Sequence, residues 1–297
     1  MTSITDIQIR DPFIVADPVD KIYRLYGTSG FGGTNDAPHG FVMRTSRDLK
    51  QWSEPHPVLP RRHGPSGADY YWAPEVHHFD GRWYLIATYG HGLDVLNPQA
   101  RYCSIYVSDS PGGPFVAHSD GPITPAGWFA IDGTLHVDET GQPWLIFCRE
   151  WVQTCNGEIH AIALYPQLRR AVGEPRLLFR ASEASWSRPQ KSELGEGYRV
   201  TDGPWLHRTS EGQLLMLWSS FGSRGYLTGV ARSASGNISG PWEQTDGLLF
   251  ADNGGHAMIF RTFENQLVMT LHAPNQPGAE RTQLLGLKET PDGLALV

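Results

Sequence analysis

Three aspartates in this chain stand at the head of an apolar run: Asp11 in Arg10-Asp11-Pro12-Phe13-Ile14-Val15, Asp132 in Ile131-Asp132-Gly133-Thr134-Leu135-His136, and Asp202 in Thr201-Asp202-Gly203-Pro204-Trp205-Leu206. Two further segments, Trp72-Ala73-Pro74-Glu75-Val76 and Gly255-His256-Ala257-Met258-Ile259, have the same form without an acid at that position. If the heads are brought together, three carboxylates share one site. Crowded, partly buried carboxylates repel one another, so at least one holds its proton above the usual range. One ionised and one protonated carboxyl side by side are what general acid–base chemistry needs near neutral pH.

The elements that would bring them together follow from the spacing. Equating Asp11, Ala73, Asp132, Asp202 and Gly255 gives steps of 62, 59, 70 and 53 residues, which tile the 297-residue chain. Such self-similarity marks a repeated supersecondary unit. Each head leads through a polar turn to a second apolar run, as in Phe13-Ile14-Val15 through Asp17-Pro18 to Ile22-Tyr23-Arg24-Leu25-Tyr26. The turn residues and β-rich runs predict five hairpins. A third run and a recurring punctuation follow outside them, a serine after a strand and then an aromatic residue opening a fourth: Trp52, Phe115 and Trp242. Four antiparallel strands per unit, five times over, predict an all-β five-bladed β-propeller in a single domain over residues 1–297, in preference to a β-sandwich.

Composition agrees. Hydrophobic residues make up 40% and aromatic residues 11%, with 33 Gly and 22 Pro, which suits many turns between aromatic-rich strands. The net charge of -7, without a block of like charge, argues against a nucleic-acid or anionic-membrane partner. Cys103, Cys148 and Cys155 have no zinc spacing and cannot all pair, so reduced thiols are expected. The N-terminus lacks a basic segment followed by an apolar stretch, and no run is long enough to span a membrane, so a soluble, cytoplasmic chain is expected if Met1 is the natural start.

The ordered set Asp-Pro, Trp-Ala-Pro-Glu, Ile-Asp, acidic-Gly-Pro and Gly-His resembles glycoside hydrolase family 43 over essentially the whole chain. The resemblance implies a site at the mouth of a central channel and hydrolysis of arabinofuranosyl or xylosyl linkages with inversion, on an oligosaccharide or polysaccharide. It implies Asp11 as the base that activates water and Asp132 as the aspartate that orients and tunes the acid. Asp202 stands where the family has a glutamate as general acid, one methylene longer. It also implies that His256 helps to hold a Ca2+ or Na+ ion in the channel, largely through water. An exo-acting α-L-arabinofuranosidase is the leading expectation, with β-xylosidase, β-galactosidase and endo-arabinanase activities behind it. A carbohydrate-binding propeller without catalysis is the alternative of another class. Invertase-like chemistry is disfavoured, because the first blade lacks Asn-Asp-Pro-Asn-Gly.

Hairpin geometry adds further candidates. The end of a second strand returns beside the start of the first, so Glu150 should lie near Asp132 and could donate the proton instead of Asp202. The same argument places Tyr26, Thr28, Tyr89, Trp151, Trp218, Ser219 and His272 around the mouth as substrate contacts. Glu75 is expected in a structural or rim role, and Glu193 and Glu196 lie in a loop as weaker donors.

Overall fold

The computed structural model describes residues 1–28 and 40–297. Five four-stranded antiparallel sheets succeed one another along the chain, and in each the strands run outward in sequence order. The innermost strands are Arg10–Asp17, Tyr70–Phe79, Ala130–Val137, Asp202–Arg208 and Gly255–Arg261. The architecture is the expected five-bladed propeller. Its apolar faces pack in the interfaces between blades. Ile86, Cys103, Leu145 and Phe147 fill the joint between the second and third blades, and Phe179, Met216, Trp218 and Trp242 that between the third and fourth. A continuous cluster from Phe13 and Tyr26 through Tyr89 to Met258 and Phe260 joins the fifth, first and second blades. Burying such side chains contributes roughly 1.5–3 kcal/mol each, which is why the blades hold together through side chains.

Each inner strand is broken near its head by a bulge, and the bulges share one register. Arg10, Trp72, Ile131, Asp202 and Gly255 pair with Thr28, Thr88, Cys148, Ser219 and His272, and ladder pairing resumes three residues later. The residue after each of these is left-handed: Asp11 (φ 53), Ala73 (φ 44), Asp132 (φ 57), Gly203 (φ 50) and His256 (φ 54). The sequence alignment is therefore corrected at two blades. Asp202 and Gly255 stand one position before the slot, which Gly203 and His256 occupy. A one-residue slip turns a side chain in another direction, so only Asp11 and Asp132 share the slot, and Asp202 is the counterpart of Arg10.

A left-handed bulge leaves its N–H without a ladder partner, and a buried N–H must find one. The blades supply it to one another. Ala73 N–H donates to Thr28 Oγ1 (2.8 Å), Asp132 N–H to Thr88 Oγ1 (2.9 Å), His256 N–H to Ser219 Oγ (2.9 Å) and Asp11 N–H to His272 Nδ1 (3.2 Å). In each case the acceptor comes from the second strand of the preceding blade, so the ring closes from the fifth blade to the first. At the one remaining joint the second strand offers Cys148, a weak acceptor, and Gly203 N–H donates to Asp132 Oδ2 instead (3.0 Å).

Other expectations change at the periphery. Gln51–Trp52 pairs with Thr2–Ser3, so Trp52 does not open a fourth strand; the outer strand of the first blade is His56–Leu59. Phe115 and Trp242 do precede or open outer strands, as expected. The three cysteines are free thiols. Among the described residues no helix is long and apolar enough to cross a membrane.

Gly203 gives a direct test of the slot. A Cβ there would lie 2.7 Å from His256 Cγ on a backbone with φ +50. Gly203→Ala is expected to cost about 2–5 kcal/mol in urea denaturation, the clash adding to the left-handed strain. Gly212→Ala, also at positive φ (+88) but with nothing within 4 Å, should cost only about 1 kcal/mol. Equal losses would contradict the packed slot.

Candidate active site

The heads of the inner strands open onto a cavity of about 250 Å³ at one end of the channel. Asp11, Asp132 and Asp202 line it together with His256, Glu150, Thr28 and Trp151. The expected convergence of the three aspartates is thus present, although they come from two strand positions. A larger cavity of about 630 Å³ lies along the later halves of the inner strands, around Trp83 and Trp205. Between the two ends, Phe13, His77 and Trp205 from three blades meet with ring centroids 5.3–5.9 Å apart. The carboxylate chemistry belongs to the smaller cavity.

Asp11 is held as an anion. Burial would raise its carboxyl, but the charge and hydrogen bond of His256, followed by the charge of Arg10, hold it well below the usual carboxylate range. Its Oδ1 lies 3.2 Å from His256 Nδ1, and its Oδ2 accepts from Thr28 Oγ1 at 2.8 Å. His256 also stands 3.7 Å from Asp132 Oδ2. Burial opposes its charge, yet Asp11, Asp132 and Asp202 together push it up to about 10. His256 is therefore an imidazolium clamped between carboxylates.

Asp132 and Asp202 behave in the opposite way. Burial, and then the charge of Asp132, raises the Asp202 carboxyl above the usual range, with His256, Arg10 and a hydrogen bond from Tyr226 opposing. Asp132 is also raised, chiefly by burial and by the charge of Asp11, against His256 and the N–H of Gly203. Facing one another, the two titrate as a pair and retain a proton to higher pH than an ordinary aspartate. The cavity thus combines a carboxylate held below the usual range with a carboxyl pair that keeps a proton above it.

Glu150 caps the short helix Trp151–Thr154 and is locked to the Arg101 guanidinium. Burial pushes its carboxyl up, and Arg101 opposes that. Arg101 is itself 2% exposed, donates to Tyr70 Oη (2.9 Å) and Val95 O (2.8 Å), and lies 4.9 Å from the centre of the Trp72 ring. This cluster builds one wall. Trp151 lines the cavity from the helix, its ring 5.2 Å from that of Tyr198.

Several expected contacts lie elsewhere. Tyr26, Tyr89 and Trp218 are fully buried in the joints between blades and do not line the cavity. Tyr26 donates its hydroxyl to Pro111 O, and Trp218 Nε1 donates to Gln244 Oε1. Second strands sit one layer out from the axis, and the residue of each that faces the bulge is the one paired with the residue before the slot. Ser219 and His272 occupy that position but act from behind, accepting the N–H groups of His256 and Asp11. Burial, with the charge of Arg10, pushes His272 down to about 3. It is neutral, with Nδ1 as acceptor and Nε2 facing Asn275 Oδ1 at 3.3 Å, so its 3.5 Å approach to Asp11 Oδ1 is not an ion pair.

Glu75 is buried against His77 Nε2 (2.7 Å) and lies outside the cavity. Glu193 and Glu196 are exposed, the latter paired with Lys191. Among the described residues no three His, Cys, Asp or Glu side chains are grouped to hold a metal.

Sequence reasoning missed Arg10, Trp72 and Arg101 as wall residues and Tyr226 behind Asp202. The slip was detectable, because proline follows the slot in three blades: Asp11-Pro12, Ala73-Pro74 and Gly203-Pro204.

A five-bladed propeller with carboxyls of opposite proton affinity at its channel mouth has the form of an acid–base hydrolase. The model of Glycosyl hydrolases family 43 matches residues 3–291, and the chain belongs to that family. An endo-arabinase from Bacteroides thetaiotaomicron VPI-5482 is similar at 37% identity and a TM-score of 0.86, over 98% of each chain. Alpha-L-arabinofuranosidase 43 of Humicola insolens is 25% identical over 221 residues, which are 71% of this chain and 43% of that protein. The chain thus spans less than half the length of that relative. An alpha-L-arabinanase of Cellvibrio cellulosa, solved with arabinohexaose, shares the fold at 17% identity and a TM-score of 0.66, over 98% of this chain and 96% of its own.

The wall cluster makes a stability prediction. Arg101→Met strands a buried Glu150 and should cost about 3–5 kcal/mol in urea denaturation. Adding Glu150→Gln should recover much of that loss. A double variant as unstable as the single one would contradict the pairing.

Proposed function

We propose that the protein hydrolyses α-L-arabinofuranosyl linkages of arabinose-containing glycans with inversion, acting on chain ends. The reading is carried by one cavity that brings Asp11, held low by His256 and Arg10, together with Asp202, whose carboxyl is raised by burial and by Asp132. Inverting glycosidases need such a pair. The arabinose specificity is drawn from the names of the similar proteins. A cavity of about 250 Å³ is smaller than the roughly 300–1,000 Å³ of sites for drug-sized ligands, which favours a terminal sugar. Endo-action on arabinan is the second reading, favoured by the 37% identity to an endo-arabinase.

In the proposed step, water attacks the anomeric carbon as its bond to the leaving oxygen breaks. Asp11 takes the water proton, and Asp202 gives its own to the leaving oxygen. Asp132 holds the N–H of Gly203 and keeps Asp202 protonated by its charge, while His256 keeps Asp11 ionised. Glu150, paired with Arg101, is assigned to the wall and to sugar hydroxyls, with Thr28 and Trp151 as further contacts.

The test uses aryl α-L-arabinofuranoside, aryl β-xyloside, aryl β-galactoside and linear arabinan, with sugar release and viscosity measured together. Arabinose release from arabinan with little early loss of viscosity is expected. A rapid viscosity drop selects the endo reading. Binding without turnover of any substrate selects a carbohydrate-binding propeller. Asp11→Asn should lower kcat about 10²–10⁴-fold on every active substrate. Asp202→Asn should spare aryl glycosides with good leaving groups. The rate should fall as pH rises through the Asp202 titration, above the usual carboxylate range, because the protonated form is the donor. Full activity of Asp202→Asn on arabinan would refute the assignment.

A further inference from the structure

Asp202 reaches less far than a glutamate would, so its orientation within the cavity matters more. We propose that Tyr226 is a positioning residue for this carboxyl, fixing one of its oxygens so that the other, with the proton, faces the cavity. The inference rests on the acid role assigned to Asp202 above.

The Tyr226 hydroxyl donates to Asp202 Oδ2 at 3.0 Å. Its ring is 1% exposed and has little freedom to turn. One face stacks on His272, with centroids 5.7 Å apart and planes 17° from parallel. The ring also lies against Gly255, where a Cβ would come within 2.5 Å of it. Its backbone N–H donates to Asn253 Oδ1 at 3.2 Å. Since His272 accepts the N–H of Asp11, one packed pair of rings supports the acid from one side and the base from the other.

A phenol bonded to one carboxyl oxygen leaves the acid proton on the other. In the ground state the Asp202 O–H donates to the glycosidic oxygen. As the glycosidic bond breaks, the proton moves to that oxygen and the electron pair stays on the carboxylate, where the Tyr226 bond becomes charge-assisted and strengthens. The charged groups facing Asp202 are Asp132, His256 and Arg10, with Glu150 beyond. Tyr226 gives the Asp202 carboxyl a hydrogen bond from a neutral donor.

Tyr226→Phe keeps the ring and removes the bond. Because that bond favours the ionised carboxyl, its loss should move the basic limb of kcat/KM to higher pH. On oligosaccharides, kcat should fall about tenfold. On an aryl glycoside with a good leaving group it should change by less than about twofold, with KM unaltered. Equal losses on both substrates with an unmoved limb would reduce Tyr226 to packing and overturn the proposal, as would unchanged kinetics. Wild-type protein inactive on every glycoside would instead remove the functional reading. The positioning claim is then read from carboxyl-carbon NMR of labelled aspartate, assigned with Asp202→Asn. The Asp202 titration should move upward in Tyr226→Phe, and an unmoved titration overturns the claim.

Discussion

The structure depends on satisfying one backbone N–H per blade where the inner strand turns left-handed. A ladder cannot do so at a bulge, so each of four N–H groups reaches a side chain on the second strand of the blade before it. These bonds link neighbouring blades near the axis. They also fix which side chains enter the channel mouth. Asp11, Asp132 and His256 occupy slot positions, which is why both aspartates, far away in sequence, lie within 3.7 Å of His256. Holding aspartate or histidine left-handed carries a cost, and the electrostatic cluster is what those positions gain.

The exceptional joint explains much of the site's asymmetry. Cys148 stands where the other blades place Thr28, Thr88, Ser219 or His272, and the carboxylate of Asp132 accepts the N–H of Gly203 in its place. Asp132 is thereby tied to the residue that follows Asp202. Asp11 sits instead against an imidazolium and a threonine hydroxyl. Three aspartates in one cavity therefore have unlike neighbours, and their proton affinities separate. Burial raises all three, and only Asp11 has enough positive charge and hydrogen bonding to reverse the shift.

Much of this was legible in the sequence. Alternating apolar runs and their turns gave the blades, because period-two patterning is a local property. Asp11 and Asp132 were placed correctly in the slot. In blades four and five the slot lies one residue later than expected, since Asp202-Gly203 and Gly255-His256 each offer two plausible slot residues and in blade four the acid outweighs the residue before Pro204. Tyr26, Tyr89 and Trp218 were placed at the mouth because they lie near strand ends. Their burial follows from how adjacent blades pack, which no single blade encodes. Arg101 against Glu150 and Tyr226 against Asp202 are contacts between residues 49 and 24 positions apart, and they carry no local motif.

The proposed chemistry requires one cavity to hold Asp11 ionised and Asp202 protonated, with His256 charged between the slot carboxylates. Neutron diffraction from deuterium-exchanged crystals at neutral pH tests it most directly, because it locates the protons themselves. Deuterium is expected on both ring nitrogens of His256, none on Asp11, and one on the Asp132–Asp202 pair, on the Asp202 oxygen not bonded to Tyr226. A proton on Asp11, a neutral His256, or Asp132 and Asp202 both bare would contradict the proposed chemistry.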